Sequence, residues 1–204
     1  MAVMVKTLGY YSHKGGAAAK GLSKLKSHLK YLEYGKVHEN EPKGFTRESD
    51  TYSRSEFYAK VEAQPERGVI AHKLVFSLSQ DERDRLGVDL KQMVRDTMAG
   101  WEAKLGRPLN WIGFQHEDKG HPHVHVVVGG YAGDKQVGIY QRDLDWLRKT
   151  ADRSKESLAK ELTRELTPQQ EAQRLHRQME EHARTNSRFF ERILGQDRGL
   201  DRGR

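Results

Sequence analysis

The sequence predicts a mixed α/β domain. Four segments carry alternating or β-branched apolar residues, a leucine stripe at helical spacing lies between the first two, and a capped helical segment lies between the second and third. Residues 2–12 alternate weakly through Val3, Val5, Leu8, Tyr10 and Tyr11 and read as a strand. His13 to Gly16 makes a turn. A helix is expected from about Ala17 to Tyr34, where Gly35 supplies the stop. Its leucines, Leu22, Leu25, Leu29 and Leu32, are spaced 3, 4 and 3 apart and form one narrow apolar face. Residues 36–57, polar and broken by Pro42 and Gly44, read as a long loop. Gly68 to Leu78 reads as the second strand. Ser79 caps a helix expected to continue to about Leu105, with Asp81 and Glu82 in its first turn. Leu109–His116 and His121–Val128 are two further strands joined by a polar turn, and residues 137–140 add a short one. From Arg142 a helix runs to Thr167, since the residue before Pro168 is biased away from helical geometry. A last helix is expected from Pro168 to about Leu194.

The chain has 204 residues, enough for one domain with a core that needs no disulfides. Hydrophobic residues make up 35% and charged residues 32%, a polar balance. There are 36 Lys and Arg against 29 acidic residues, a formal charge of +7. The absence of cysteine excludes a disulfide scaffold, a thiolate zinc site and a cysteine nucleophile. No apolar run approaches the ~20 residues of a membrane span. The start has no secretory apolar region, so the expected compartment is the cytoplasm. A basic chain of this kind points to a polyanion, most often nucleic acid. The excess is local. Residues 1–35 hold Lys6, Lys14, Lys20, Lys24, Lys26 and Lys30 against Glu33 alone, whereas residues 141–204 mix both signs.

The densest chemical signal is HEDKGHPHVHVVV, His116 to Val128. On an extended strand alternate residues share a face, so His123 and His125 project together while Val124, Val126 and Val128 fill the back. His116 sits just across the turn. Two readings are open from the residues alone: a histidine-rich hairpin without a metal, or three imidazoles holding a divalent ion that also binds substrate oxygens. His121, before Pro122, reads as a bystander. Asp118 is either a turn residue or the orienting partner of a ligand imidazole. HExxH and HxHxDH are both absent, which sets aside zincins and one large group of metallo-hydrolases.

On the first helix, Lys20, Lys24, Ser27, Tyr31 and Tyr34 share a face away from the leucines, and Lys26 and Lys30 flank the stripe. One reading is a solvated helix face with a rim tyrosine. The other is a phenol placed to attack a phosphodiester, where a metal and lysines favour the phenolate, whose ordinary pKa is about 10.

The arrangement His116-Glu117-Asp118…Pro122-His123-Val124-His125 resembles the three-histidine motif of the HUH endonucleases, specifically the plasmid relaxases. GGAAAKGLSKLKSHLKYLEYGK resembles the relaxase nucleophile segment, and VIAHKLVFSLS with its following helix resembles the middle of that domain. The order of the motifs, tyrosine before histidines, is that of relaxases. Rolling-circle replication initiators have the reverse order, and Tyr131 to Lys135 only superficially matches their tyrosine motif.

The resemblance implies an α/β two-layer sandwich, a central antiparallel sheet with packed helices, plus C-terminal helices. It implies a nuclease domain over residues 1–150 and a helical extension over 151–204. It further implies Mg²⁺ or Mn²⁺ on His116, His123 and His125, with Asp118 behind them. Tyr31 is the implied nucleophile that forms a 5′-phosphotyrosyl link, and Lys20, Lys24 and Tyr34 are implied contacts to single-stranded DNA at a transfer origin. Accessory mobilisation proteins are implied partners. The alternatives are a replication initiator or transposase-like HUH enzyme, a metal-dependent hydrolytic nuclease, and a non-catalytic basic DNA-binding module.

Overall fold

A computed structural model describes residues 2–13, 18–34, 44–117 and 121–165, together with 170, 172, 173, 175–180 and 183. The chain divides into two units, Met1–Ala159 and Lys160–Arg204. The described residues of the second are helical. Phe189, Phe190, Ile193 and Leu194, expected on a last helix, lie outside the described residues.

The first unit is built on a four-stranded antiparallel sheet of β1 (Met4–Ser12), β2 (Val69–Ser77), β3 (Trp111–His116) and β4 (His123–Gly129), in the order β1-β2-β4-β3. The expected antiparallel sheet with packed helices is therefore what forms. Alternation along the strands gives the sheet two different faces. On one, Leu74, Phe76, Val124, Val126 and Val128 pack against Met93, Val94, Met98 and Trp101 of α4 (Leu90–Leu105) and Leu144, Leu147 and Ala151 of α5 (Gln141–Glu165). On the other, Ile112, Phe114 and Val127 meet Leu25, Leu29 and Leu32 of α1 (Ala18–Tyr34) and Phe57 and Val61 of α2 (Arg54–Glu62). The leucine stripe is the inward face of α1, and Leu25, Leu29 and Leu32, all fully buried, each contribute roughly 1.5–3 kcal/mol by burial.

α5 is fastened to the sheet edge by polar contacts. Arg148 Nε donates to the Val5 carbonyl at 2.9 Å, and Val3 N donates to Asp152 at 2.8 Å. Lys155 pairs with Glu82 at 2.8 Å where both are almost fully buried, joining α5 to α3 (Gln80–Leu86). Burial opposes the charge on both partners, yet their mutual hydrogen bond keeps the carboxyl pKa low and the ammonium pKa high. α5 runs unbroken through residue 150.

Three local expectations are corrected. Of the loop expected over 36–57, residues 36–43 lie outside the described residues, and the stretch from Arg54 is instead helical, since α2 begins there with a capping box: Ser53 accepts from the helix amides and Glu56 accepts from Ser53 N at 3.2 Å. The helix expected from Ser79 to Leu105 is two helices. Gly87 takes the left-handed conformation at φ 66°, ending α3, and Asp89 caps α4. The short strand expected at 137–140 is displaced to a hairpin of β5 (Tyr131–Ala132) and β6 (Lys135–Gln136). Val137 is buried, and its carbonyl accepts from His72 at 2.8 Å.

Gly21 sets how closely α1 approaches the sheet. A Cβ there would lie 2.6 Å from Ile70 Cδ1 and 2.8 Å from the Ser12 carbonyl oxygen. In an exposed helix Gly→Ala gains about 1 kcal/mol, but overpacking of this kind costs about 1–3 kcal/mol, and here one of the crowded atoms is backbone. Gly21→Ala is therefore expected to lower the urea midpoint of unfolding. An unchanged or raised midpoint would show that α1 has room to move outward.

Candidate active site

The site is assembled by strand register. His116 at the end of β3 lies directly opposite His123 at the start of β4, and Phe114 lies opposite His125. All three imidazoles thus emerge on one face at one end of the sheet. Their ring centres are 5.4 Å (116–123), 5.3 Å (116–125) and 4.8 Å (123–125) apart, and one nitrogen from each lies within 4.8 Å of the others. All three side chains are half-buried.

Two hydrogen bonds orient these rings. His116 Nε2 lies 2.9 Å from the Leu32 carbonyl, and His123 Nδ1 lies 2.9 Å from the His121 carbonyl. A carbonyl only accepts, so these nitrogens carry the protons and the lone pairs fall on Nδ1 of His116 and Nε2 of His123. Backbone-anchored imidazoles with the opposite nitrogen available are the arrangement a divalent ion requires. The residues therefore fit such an ion. Among the described residues this is the one cluster of three His, Asp or Glu side chains that close together.

The Leu32 contact also joins the histidines to α1. Tyr31 is the preceding residue, and its side chain is 56% exposed. At 100° per residue, Lys20, Lys24 and Tyr31 form the outer ridge of α1, and both lysines are exposed. One flank of that ridge carries His28, whose ring centre is 6.0 Å from that of Tyr11. Burial, and then the Lys73 charge, hold its pKa down at about 4, so it is neutral at physiological pH. Asp118 and the side chain of Tyr34 lie outside the described residues.

Other tyrosines are sorted by burial. Tyr131 is buried, and its hydroxyl donates to the Arg67 carbonyl at 2.9 Å, so it is unavailable as a nucleophile. Tyr11 is half-buried, which pushes its phenol pKa up, while Tyr10 is exposed. His121 is exposed and contributes its backbone carbonyl to His123.

The sheet adds two cations absent from the sequence-derived set. Lys6 pairs with Val75, which pairs with His125, so Lys6 shares the rung and the face of that histidine. Lys73 occupies the next rung on the same face, opposite Val127, and its ammonium lies 5.0 Å from the Tyr11 ring centre. The signal in the sequence was the alternation of Lys6 with Val5. Without knowing which strand pairs with which, nothing tied that lysine to the histidines.

A family model described as the MobA/VirD2-like nuclease domain of relaxases matches residues 31–159. Among solved structures, the chain is similar to the MobM relaxase domain bound to a 22-nucleotide oriT DNA of plasmid pMV158, in a Mn-bound crystal. The identity is 12% and the TM-score 0.50, covering 77% of this chain and 87% of that one. The same domain bound to a 26-nucleotide oriT DNA gives 13% identity and a TM-score of 0.49 over the same shares. At such identities the likeness is one of fold. No curated protein matches the sequence.

The suppressed pKa of His28 makes stability depend on pH. Unfolded, the imidazole titrates at about 6.5; folded, it titrates at about 4. Between those values the unfolded chain binds the extra proton. The stability linked to His28 is therefore complete above about pH 6.5 and is lost as pH falls towards 4. His28→Gln is expected to flatten this part of the urea-midpoint profile between pH 7 and pH 4.5. A variant profile parallel to the wild type would refute the assignment.

Proposed function

Since the chain belongs to the MobA/VirD2-like relaxase family, we propose that it nicks and rejoins one DNA strand at a transfer origin, with Tyr31 as nucleophile and His116, His123 and His125 as metal ligands. The observation that carries this reading is the 2.9 Å hydrogen bond from His116 to the Leu32 carbonyl. It links the imidazole cluster to the backbone of the residue after Tyr31, which supports a shared site for the phenol and the ligand set.

His116, His123 and His125 would hold a divalent ion, which would supply Lewis acidity towards the scissile phosphate. Three nitrogen ligands suit Mn²⁺ better than Mg²⁺, which prefers oxygen. The Mn-bound state of the MobM domain agrees with that preference. The Tyr31 oxygen forms a bond to phosphorus as the bond to the 3′ oxygen breaks. The phenol loses its proton, the 3′ oxygen gains one, and the 5′ phosphate stays on the enzyme. One phosphodiester replaces another, so the 3′ hydroxyl can reverse the step and restore the strand. Lys20 and Lys24 on the ridge, and Lys6 and Lys73 on the sheet face, attract the phosphates.

The order of motifs supports this reading over a replication initiator. Tyr31 precedes the histidines, and Tyr131, which follows them, is buried with its hydroxyl engaged. A hydrolytic nuclease sharing the same metal site would release its product without a covalent intermediate.

Tyr31→Phe is expected to abolish the covalent protein–DNA adduct on a denaturing gel while leaving oligonucleotide affinity largely intact. Persistence of the adduct would remove Tyr31 from the role and pass it to Tyr34, Tyr10 or Tyr11, in that order. His123→Ala and His125→Ala are each expected to weaken Mn²⁺ binding, measured by calorimetry, by about tenfold or more. Undiminished affinity in both variants would dissolve the ligand assignment.

A further inference from the structure

The flank of α1 opposite His28 has a second feature. Lys26, Ser27, Leu29 and Lys30 face Arg54, Ser55 and Tyr58 of α2 across an open cavity of about 410 Å³. This volume lies within the range of about 300–1,000 Å³ typical of small-molecule sites. The lining holds three cationic side chains, two hydroxyls and a phenol ring, and no carboxylate. The Lys26 ammonium stands 5.4 Å from the centre of the Tyr58 ring. Arg54 is steadied by Glu33, with its Nε 2.7 Å from the carboxylate.

An apolar ring beside two exposed ammonium groups matches a flat aromatic group that carries an anion. That combination is a nucleotide: the base meets the ring and the phosphate meets the lysines. The position narrows the source. Leu29 and Lys30 immediately precede Tyr31, and Lys30 is 100° around the helix from it. A strand lying over the Tyr31 ridge therefore has this groove directly beside it.

We propose that the α1–α2 groove is a subsite for one nucleotide of the bound single strand, with its base against Tyr58 and its phosphate between Lys26 and Lys30. The subsite rests on the relaxase reading and adds to it a grip that tolerates any base. Stacking is available to all four bases, and the hydroxyls of Ser27 and Ser55 both donate and accept. Its role is to hold the strand in place beside the nucleophile. Sequence selection lies elsewhere.

The test uses the full chain with EDTA present, so that no cleavage occurs, and a fluorescent 15-nucleotide oligo-dT measured by anisotropy across a salt series. Tyr58→Leu is expected to weaken binding by roughly 5- to 150-fold, the loss of one base stack, with no change in salt slope. The double variant Lys26→Gln, Lys30→Gln is expected to reduce the slope of log affinity against log salt by about 0.7, the value for one phosphate on a single strand. Both lysines are exposed, so this variant keeps the test valid even if Tyr58→Leu unfolds. Lys135→Gln on the β5–β6 hairpin serves as the control. Wild-type affinity and slope in both groove variants would overturn the subsite while leaving the relaxase reading intact. Failure of the wild-type chain to bind oligo-dT would likewise overturn the base-tolerant subsite, whereas the relaxase reading stands or falls separately on the covalent adduct formed at a transfer origin. Saturation of the groove by free dTMP with no effect of the variants on oligo-dT would overturn the strand assignment in favour of a mononucleotide site.

Discussion

The register of β4 between β2 and β3 is the constraint on which the site depends. Each strand residue has only two faces to choose from, so a slip of one position would turn His123 and His125 towards α4 and α5 and the valines towards α1. The valines prevent this. Val124, Val126 and Val128 are fully buried against α4 and α5, so a slipped register would take three apolar side chains out of that core and put two imidazoles into it. Because β4 is paired on both sides, its neighbours are fixed as well. β3 delivers His116 to the rung of His123, and β2 with β1 delivers Lys73 and Lys6 to the same face.

α1 is set against that strand geometry. Its leucines bury one side, and Gly21 lets it settle onto the backbone of β1 near one end. At the other end its Leu32 carbonyl accepts from His116. The same helix then offers three solvent-side surfaces with different chemistry: a ridge bearing Lys20, Lys24 and Tyr31, a flank with the neutral His28, and a flank that closes a cationic groove with α2.

Legibility in the sequence followed the range of the interaction involved. The α1 stripe and the β4 alternation were readable because they depend on residues a few positions apart. The capping box Ser53–Glu56 was equally local, and it marks α2 despite the polar composition of the preceding segment. The break at Gly87 and Asp89 was also written locally, as a C-cap followed at once by an N-cap, yet the continuing polar-apolar pattern of residues 79–105 obscured it. Tyr131 is different. Its spacing imitates a functional motif, and only its burial and its bond to Arg67 disclose a structural role.

The sequence by itself determined the strand and helix periodicities, the inward faces of α1 and β4, and the set of imidazoles able to bind a metal. These are properties of short windows, where backbone geometry alone decides which side chains share a side. The tertiary structure decided what those faces meet. It paired His116 with His123, set the Leu32 carbonyl against an imidazole 84 positions away, brought Lys6 onto the rung of His125, and formed a groove between α1 and α2. Such contacts depend on which strands pair and how closely helices pack, and both follow from burying one shared core that no single segment contains.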